Sequence, residues 1–230
     1  ERMPATLELV AVAACLVLCI AIPLGVYAGA YPKRASSKLI MSGSILGISL
    51  PSFWVGMMMI YIFAVVLRLL PASGRGNTVM VGNVALSIFA PGGIRYVILP
   101  AITLALTNVA TMLRLTRSGI LENMRQDYIK FARAKGVPAK SILFGHALKN
   151  ALIPVVTIFG MDLGNMIAFT TITETIFAWP GMGKLLIDAI NKSDRPIIVA
   201  YLMAAACMFV VLNFIVDILY TLIDPRIELR

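Results

Sequence analysis

Residues 9–32 read LVAVAACLVLCIAIPLGVYAGAYP, a stretch without one charged side chain. A helix needs about 20 apolar residues to cross the hydrocarbon core of a bilayer, so this stretch predicts a membrane span. Working outward, further charge-free windows lie at 39–67, 96–113 and 196–216, and the window 150–173 holds a single acid, Asp162. Flanking basic residues such as Arg114 and Arg117 can snorkel and lengthen a short window. Five spanning helices are predicted, over about 7–31, 40–69, 96–117, 151–172 and 196–222. Composition points the same way. The 230 residues are 60% hydrophobic and 13% charged, against about 25% charged in soluble domains. One small core cannot bury that much apolar surface, so lipid must be part of the solvent. The fold class is an all-α integral membrane protein.

One further charge-free window does not span. Residues 76–94 contain Asn77, Gly82, Asn83, Pro91, Gly92 and Gly93, and only Val84–Ala90 is compactly apolar. The reading is an extramembrane loop, 71–95, carrying a short interfacial helix. A second extramembrane loop covers 173–195. With five spans, the loop 33–38, the segment 114–149 and the C-terminal tail share one side, with 13 of the 20 basic residues and 4 of the 11 acidic ones. The other side has 7 basic and 5 acidic residues, and Asp162 and Asp217 fall within membrane windows. Basic residues concentrate on the cytoplasmic side, which places 114–149 and the C-terminus inside and residue 1 outside. The net charge of +9 is therefore a topology signal and not a nucleic-acid footprint. The opening residues carry no signal-peptide pattern.

Within the windows, Gly25-x-x-x-Gly29, Gly43-x-x-x-Gly47 and Gly160-x-x-x-Gly164 have the small-residue spacing that lets helices approach closely. Pro23, Pro51, Pro100 and Pro154 are expected to kink or start their helices. Cys15, Cys19 and Cys207 sit in apolar runs and read as small buried hydrophobes. Met57-Met58-Met59 points in three directions around a helix and reads as membrane filler rather than a soft-metal site. His146 has no partner spaced for metal or proton chemistry, so no metal site is predicted.

The segment 114–150 is too long for a simple connection between spans. Asp127 is a candidate N-cap for a helix over Tyr128–Lys135, Gly136 a stop, and Pro138 the first turn of a second helix. Ile142, Leu143, Ala147 and Leu148 then fall near helical spacing. This makes a cytoplasmic elbow over 122–150. It is either a basic hairpin lying on anionic lipid or a docking element for a soluble partner.

The run Asp127-Tyr-Ile-Lys-Phe-Ala-Arg-Ala-Lys-Gly136, followed by His146-Ala-Leu-Lys-Asn-Ala151 and Pro154, resembles the coupling loop of ABC-importer permeases of the dipeptide, oligopeptide and nickel branch. The likeness continues through Thr173-Glu-Thr-Ile-Phe177, Trp179-Pro-Gly-Met-Gly183 and Asp224-Pro-Arg-Ile227, and at Pro4-Ala-Thr-Leu-Glu-Leu9. Where permeases in general begin the loop with Glu-Ala-Ala, this chain has Lys130, Phe131 and Ala132, which fits the peptide branch better than sugar or amino-acid importers. The family's first helix has no counterpart, so a sixth span is expected upstream of Glu1.

The resemblance implies a B-type permease with the transmembrane domain of type I ABC importers, multi-pass in the bacterial inner membrane, with a cytoplasmic coupling helix. It implies a second, similar permease, two cytoplasmic ABC ATPases and an external substrate-binding protein as partners, with the lipid bilayer around them and no nucleic acid. The chain itself would hold no cofactor, ATP and Mg being bound by the ATPases, and would carry no catalytic residue. Tyr128, Ala132, Arg133, Ala134, Lys135, Gly136, His146 and Asn150 would meet the ATPase. Asp162, an intramembrane acid and so a functional candidate by default, and Glu174 would belong to the translocation path. Trp179, Pro180, Gly181 and Gly183 would form an external gate or binding-protein loop, with a plain solvated loop as the alternative. Gly181-Met-Gly-Lys184 is no P-loop, because Ala178 replaces the first Gly and Leu185 the hydroxyl residue. Short peptides are the first expectation for cargo, with nickel chelates or glutathione as alternatives. An autonomous channel or secondary carrier would show internal repeats or a row of membrane charges, and neither is present. A membrane enzyme would need a nucleophile–base pair, and none is evident.

Overall fold

The computed structural model describes residues 2–223. In chain order, α1 (Arg2–Ala30) and α2 (Ala35–Ser49) lead to α3 (Ser52–Met59), which continues in wider π-type turns over Ile60–Val66. A hairpin of β1 (Val79–Val81) and β2 (Val84–Leu86) precedes α4 (Ile94–Asn123) and α5 (Asp127–Ala134). A single turn, α6 (Ala139–Ser141), passes through π-type turns at Ile142–Ala147 into α7 (Leu148–Ile176), and α8 (Met182–Asn191) and α9 (Arg195–Ile223) follow. Two compact units share the chain. The first holds Glu1–Leu16, Leu50–Leu106 and Asp162–Phe214, and the second Val17–Ser49, Thr107–Met161 and the end of α9.

A helix of 29 residues, such as α1, is about 44 Å long at 1.5 Å per residue, more than the ~30 Å hydrocarbon core requires. Among the described residues three helical stretches are long and apolar enough to cross a membrane: Arg2–Ala30, Ile94–Asn123 and Ala139–Ile176. They become four if α2 and α3 form one span, and Arg195–Val211 is a further apolar helix. Large apolar side chains stand exposed along these helices, among them Leu39, Leu46, Val65 and Met203. Apolar side chains exposed along such helices belong against lipid or another subunit.

The structure corrects the sequence reading in four places. The window 40–69 is not one continuous helix. Pro51 forces the residue before it, Leu50, out of the α region, so α2 ends at Ser49 and α3 starts at Ser52 with extended Pro51 as its N-cap. Pro23, Pro100 and Pro154 by contrast lie inside helices. The expected interfacial helix in 84–90 is instead the second half of the hairpin. Val79 pairs with Leu86 and Val81 with Val84, and Gly82, at φ +62, supplies the positive φ that two-residue hairpin turns require. The cysteines are exposed on their helices, not buried. Asp127 is not a cap, since α5 begins on it and extended Gln126 takes the N-cap position. The side chain of Asp217 and the run Asp224–Ile227 lie outside what the structure describes.

Glycine spacing acts where another helix crosses. A Cβ at Gly25 would lie 2.6 Å from Thr116 Cβ, and one at Gly29 2.7 Å from Ile120 Cβ, so α1 and α4 of the second unit touch backbone to side chain. Gly164 admits the Phe209 ring in the first unit, with a Cβ 2.6 Å from its Cε2. At Gly43 a Cβ meets nothing within 4 Å.

Candidate functional site

Two constructions stand out, one in each unit. In the second unit the elbow is pinned by its apolar residues. Ile129, Ile142 and Ala147 are buried with Val26, Ile120 and Ala151 in one cluster, and Met124, Ala132, Val137, Leu143 and Leu148 pack around it. Burying one such aliphatic side chain stabilises by about 1.5–3 kcal/mol, so the elbow is fastened by hydrophobic contact. Polar ties add register: Tyr128 Oη donates to Asn123 Oδ1 at 2.8 Å and accepts from Asn150 Nδ2 at 3.0 Å. The turn between the short helices is a Schellman motif. Gly136 N–H donates to Arg133 O at 2.9 Å and Val137 N–H to Ala132 O at 3.1 Å, with Gly136 at φ +78.

The opposite face of the elbow is open. Tyr128, Arg133, Ala134, Lys135, Gly136, His146 and Asn150 are exposed, whereas Ala132 is half-buried toward the core. Phe131 and Phe144 are 62% and 58% exposed, and Lys135 Nζ lies 4.4 Å from the centre of the Phe131 ring. Asp127 pairs with Lys130 at 2.7 Å on fully exposed surface. The hydrogen bond and charge of Lys130 hold the Asp127 carboxyl below the usual carboxylate range. Such a surface pair adds little stability. Two exposed phenylalanines, one with a lysine over its ring, thus stand on a stretch of chain rich in basic residues.

In the first unit the corner between α7 and α8 is organised by Glu174, which is 0% exposed. Its Oε1 accepts from Thr6 Oγ1 at 2.6 Å and its Oε2 from the Lys184 backbone N–H at 3.0 Å, while Thr6 Oγ1 accepts from Met182 N–H at 2.8 Å. A carboxylate on the first-turn amides of α8 satisfies their orphan donors and meets the positive end of the helix dipole. Gly181 and Gly183 make room. A Cβ at Gly181 would overlap the Glu174 carboxylate, and one at Gly183 would lie 2.5 Å from Thr171 Cα. Trp179 is fully buried and donates its indole N–H to Ala5 O at 2.9 Å, and Pro180 is half-buried beside it. Ala178 holds the left-handed position, φ +45, of a second Schellman turn, with Trp179 N–H on Glu174 O at 2.8 Å. Asp162 sits half-buried on α7.

Sequence reasoning missed the buried partner set of the same unit. Glu8 takes a salt bridge from Arg75 and hydrogen bonds from the Ser87 and Ile88 backbone N–H groups at 2.6 and 2.7 Å. Arg75 also donates to Ala85 O at 2.6 Å and lies 5.7 Å from the Trp179 ring centre. The hairpin loop is thereby fixed to the start of α1. Glu8, on the edge of a charge-free window, and Arg75, between Gly74 and Gly76, were the available signals. Among the described residues no three His, Cys, Asp or Glu side chains come together as a metal site would require.

Comparison with known proteins places this arrangement. Residues 21–229 match the family described as "Binding-protein-dependent transport system inner membrane component". The chain is 41% identical over 227 residues to the oligopeptide transport system permease protein AppB of Bacillus subtilis, covering 99% of this chain and 70% of that protein. It is 40% identical over 237 residues to the di/tripeptide transport system permease protein DppB of Pseudomonas aeruginosa, covering 98% and 70%. In fold it is similar to a chain of the methionine ABC transporter MetNI in inward-facing conformations, with a TM-score of 0.72 at 15% identity, covering 96% and 93% of the two chains. It is also similar to a chain of an amino acid ABC transporter, with a TM-score of 0.65 at 12% identity, covering 95% and 91%. The fold is that of ABC-importer transmembrane subunits.

Proposed function

The chain belongs to the family of binding-protein-dependent transport system inner membrane components, and from that premise we propose that it is the B-type permease of an importer of short peptides. It pairs with a second, similar permease around one translocation path. Two ATPases dock on the elbows of the pair, and an external binding protein delivers the cargo. The names of the relatives, which are peptide permeases, support peptides over nickel chelates or glutathione.

The observation that carries the docking role is the two-faced elbow. Ile129, Ile142 and Ala147 hold one face to the permease core, and Phe131 and Phe144 stand out on the other. A surface held on a rigid apolar footing transmits displacement instead of absorbing it. Closure of the ATPases around ATP then moves the elbow, and the membrane helices follow as a two-state element biased by differential binding. In this reading the Glu174 corner is a fixed external block that shapes the gate, and Asp162 belongs to the path. The permease supplies binding and motion, and the hydrolytic chemistry stays in the ATPases.

Cysteine cross-linking tests the docking. Phe144→Cys in the assembled transporter should form a disulfide with a cysteine introduced in the ATPase groove, and ATP should change its yield. A pair that never cross-links, beside a control cysteine on the same permease that does, contradicts the assignment.

A further inference from the structure

In the first unit, Arg68 and Arg95 line one open cavity of about 490 Å³ together with Leu69, Leu70, Asn77 and Tyr96. Each arginine stands where local physics disfavours it. Arg68 follows the π-type turns of α3, where Leu69 and Leu70 N–H both turn back onto Phe63 O at 2.9 and 3.3 Å, and its φ is +52. Glycine holds that left-handed conformation without strain, and a residue with a Cβ does not. Arg95 is the second residue of α4, where a cation opposes the positive end of the helix dipole. Neither guanidinium has an ion-pair or side-chain hydrogen-bond partner among the described residues. By contrast Arg75, a short distance along the chain, is fully paired.

Both arginines are solvent-exposed and without a protein partner among the described residues, so each is open to an anion, and the planar fork of a guanidinium matches a carboxylate. The cavity falls within the ~300–1,000 Å³ range of small-ligand sites. Its Tyr96 wall is set by Gly76, at φ +69, where a Cβ would come within 2.6 Å of the ring. We propose that this cavity receives the free C-terminal carboxylate of a short peptide, with Leu69 and Leu70 flanking the last side chain. The proposal rests on the peptide-permease reading.

The test uses the complete transporter in proteoliposomes, with its binding protein outside, ATP inside and labelled dialanine as the probe. Arg68→Gln and Arg95→Gln should each lower uptake about tenfold, the loss expected for a charge-assisted hydrogen bond, and the corresponding Lys variants should recover part of it. Arg95 has ordinary helical backbone, so its variant guards against a folding defect at Arg68. The affinity of the empty binding protein for the transporter should stay the same. Uptake unchanged in both Gln variants overturns the site. Equal loss of empty binding-protein docking also overturns it, by assigning the arginines to the partner's acidic surface. A wild-type transporter that does not import dialanine overturns the peptide reading itself.

Discussion

The hydroxyl of Thr6 bridges Glu174 and the start of α8, donating to Glu174 Oε1 at 2.6 Å and accepting from the Met182 N–H at 2.8 Å. One side chain thus joins α1 to a corner 168 residues later. Thr6→Val keeps the shape and removes both bonds, leaving a buried acceptor and donor unpaired at about 1–3 kcal/mol. Thermal melts of the purified permease should show a clear loss for Thr6→Val and near wild-type behaviour for Thr6→Ser.

The glycines of the corner divide from Gly43 by what surrounds them. Gly181→Ala and Gly183→Ala drive a methyl into Glu174 and the Thr171 backbone, and overpacking of this kind costs about 1–3 kcal/mol. Gly43→Ala meets open space and should stabilise α2 by about 0.5–1 kcal/mol through helix propensity. Yields of folded protein and melting temperatures should rank Gly43→Ala above wild type and both corner variants below it.

Glu8→Ala should be among the most damaging changes in the first unit. It leaves Arg75 buried without its carboxylate and strands the Ser87 and Ile88 N–H groups, and breaking a buried pair on one side costs about 3–5 kcal/mol. Proteolysis of the 71–95 loop should accelerate sharply in this variant while the elbow remains protected.

How far the sequence carried is clearest at the elbow. The Gly136-Val137-Pro138 break, and the burial of Ile142 and Ala147 ahead of exposed His146, follow from local chemistry: a left-handed glycine and the spacing of apolar residues. Pro51 marked the helix start that the structure shows, but the span 40–69 was drawn across it because a charge-free window reports lipid compatibility and not backbone continuity. The hairpin was hidden for a related reason. Val84–Ala90 is apolar in either conformation, and the Gly82-Asn83 turn signal decides. Glu8 with Arg75 and Thr6 with Glu174 lie 67 and 168 positions apart. No periodicity within a window can pair them, so the hydrogen bonds that tie Glu174 to Thr6 and to the start of α8 could not be foreseen.

Gly136→Arg probes the coupling role of the elbow. A side chain at φ +78 costs about 1–2 kcal/mol in the left-handed region, but it points into open space, so the membrane helices should assemble at normal levels. Peptide imported per ATP hydrolysed should fall well below wild type, because the docking face is reshaped. Transport that survives the change at normal expression would remove the elbow from coupling.

The central claim, a permease serving short peptides, is tested most directly by uptake into proteoliposomes holding the complete transporter with its binding protein and ATPases. Labelled dipeptide and labelled nickel chelate are offered side by side, with and without ATP. The account predicts ATP-dependent accumulation of the dipeptide and none of the nickel complex. Accumulation of the nickel complex alone, or dipeptide entry that does not depend on ATP, would contradict it.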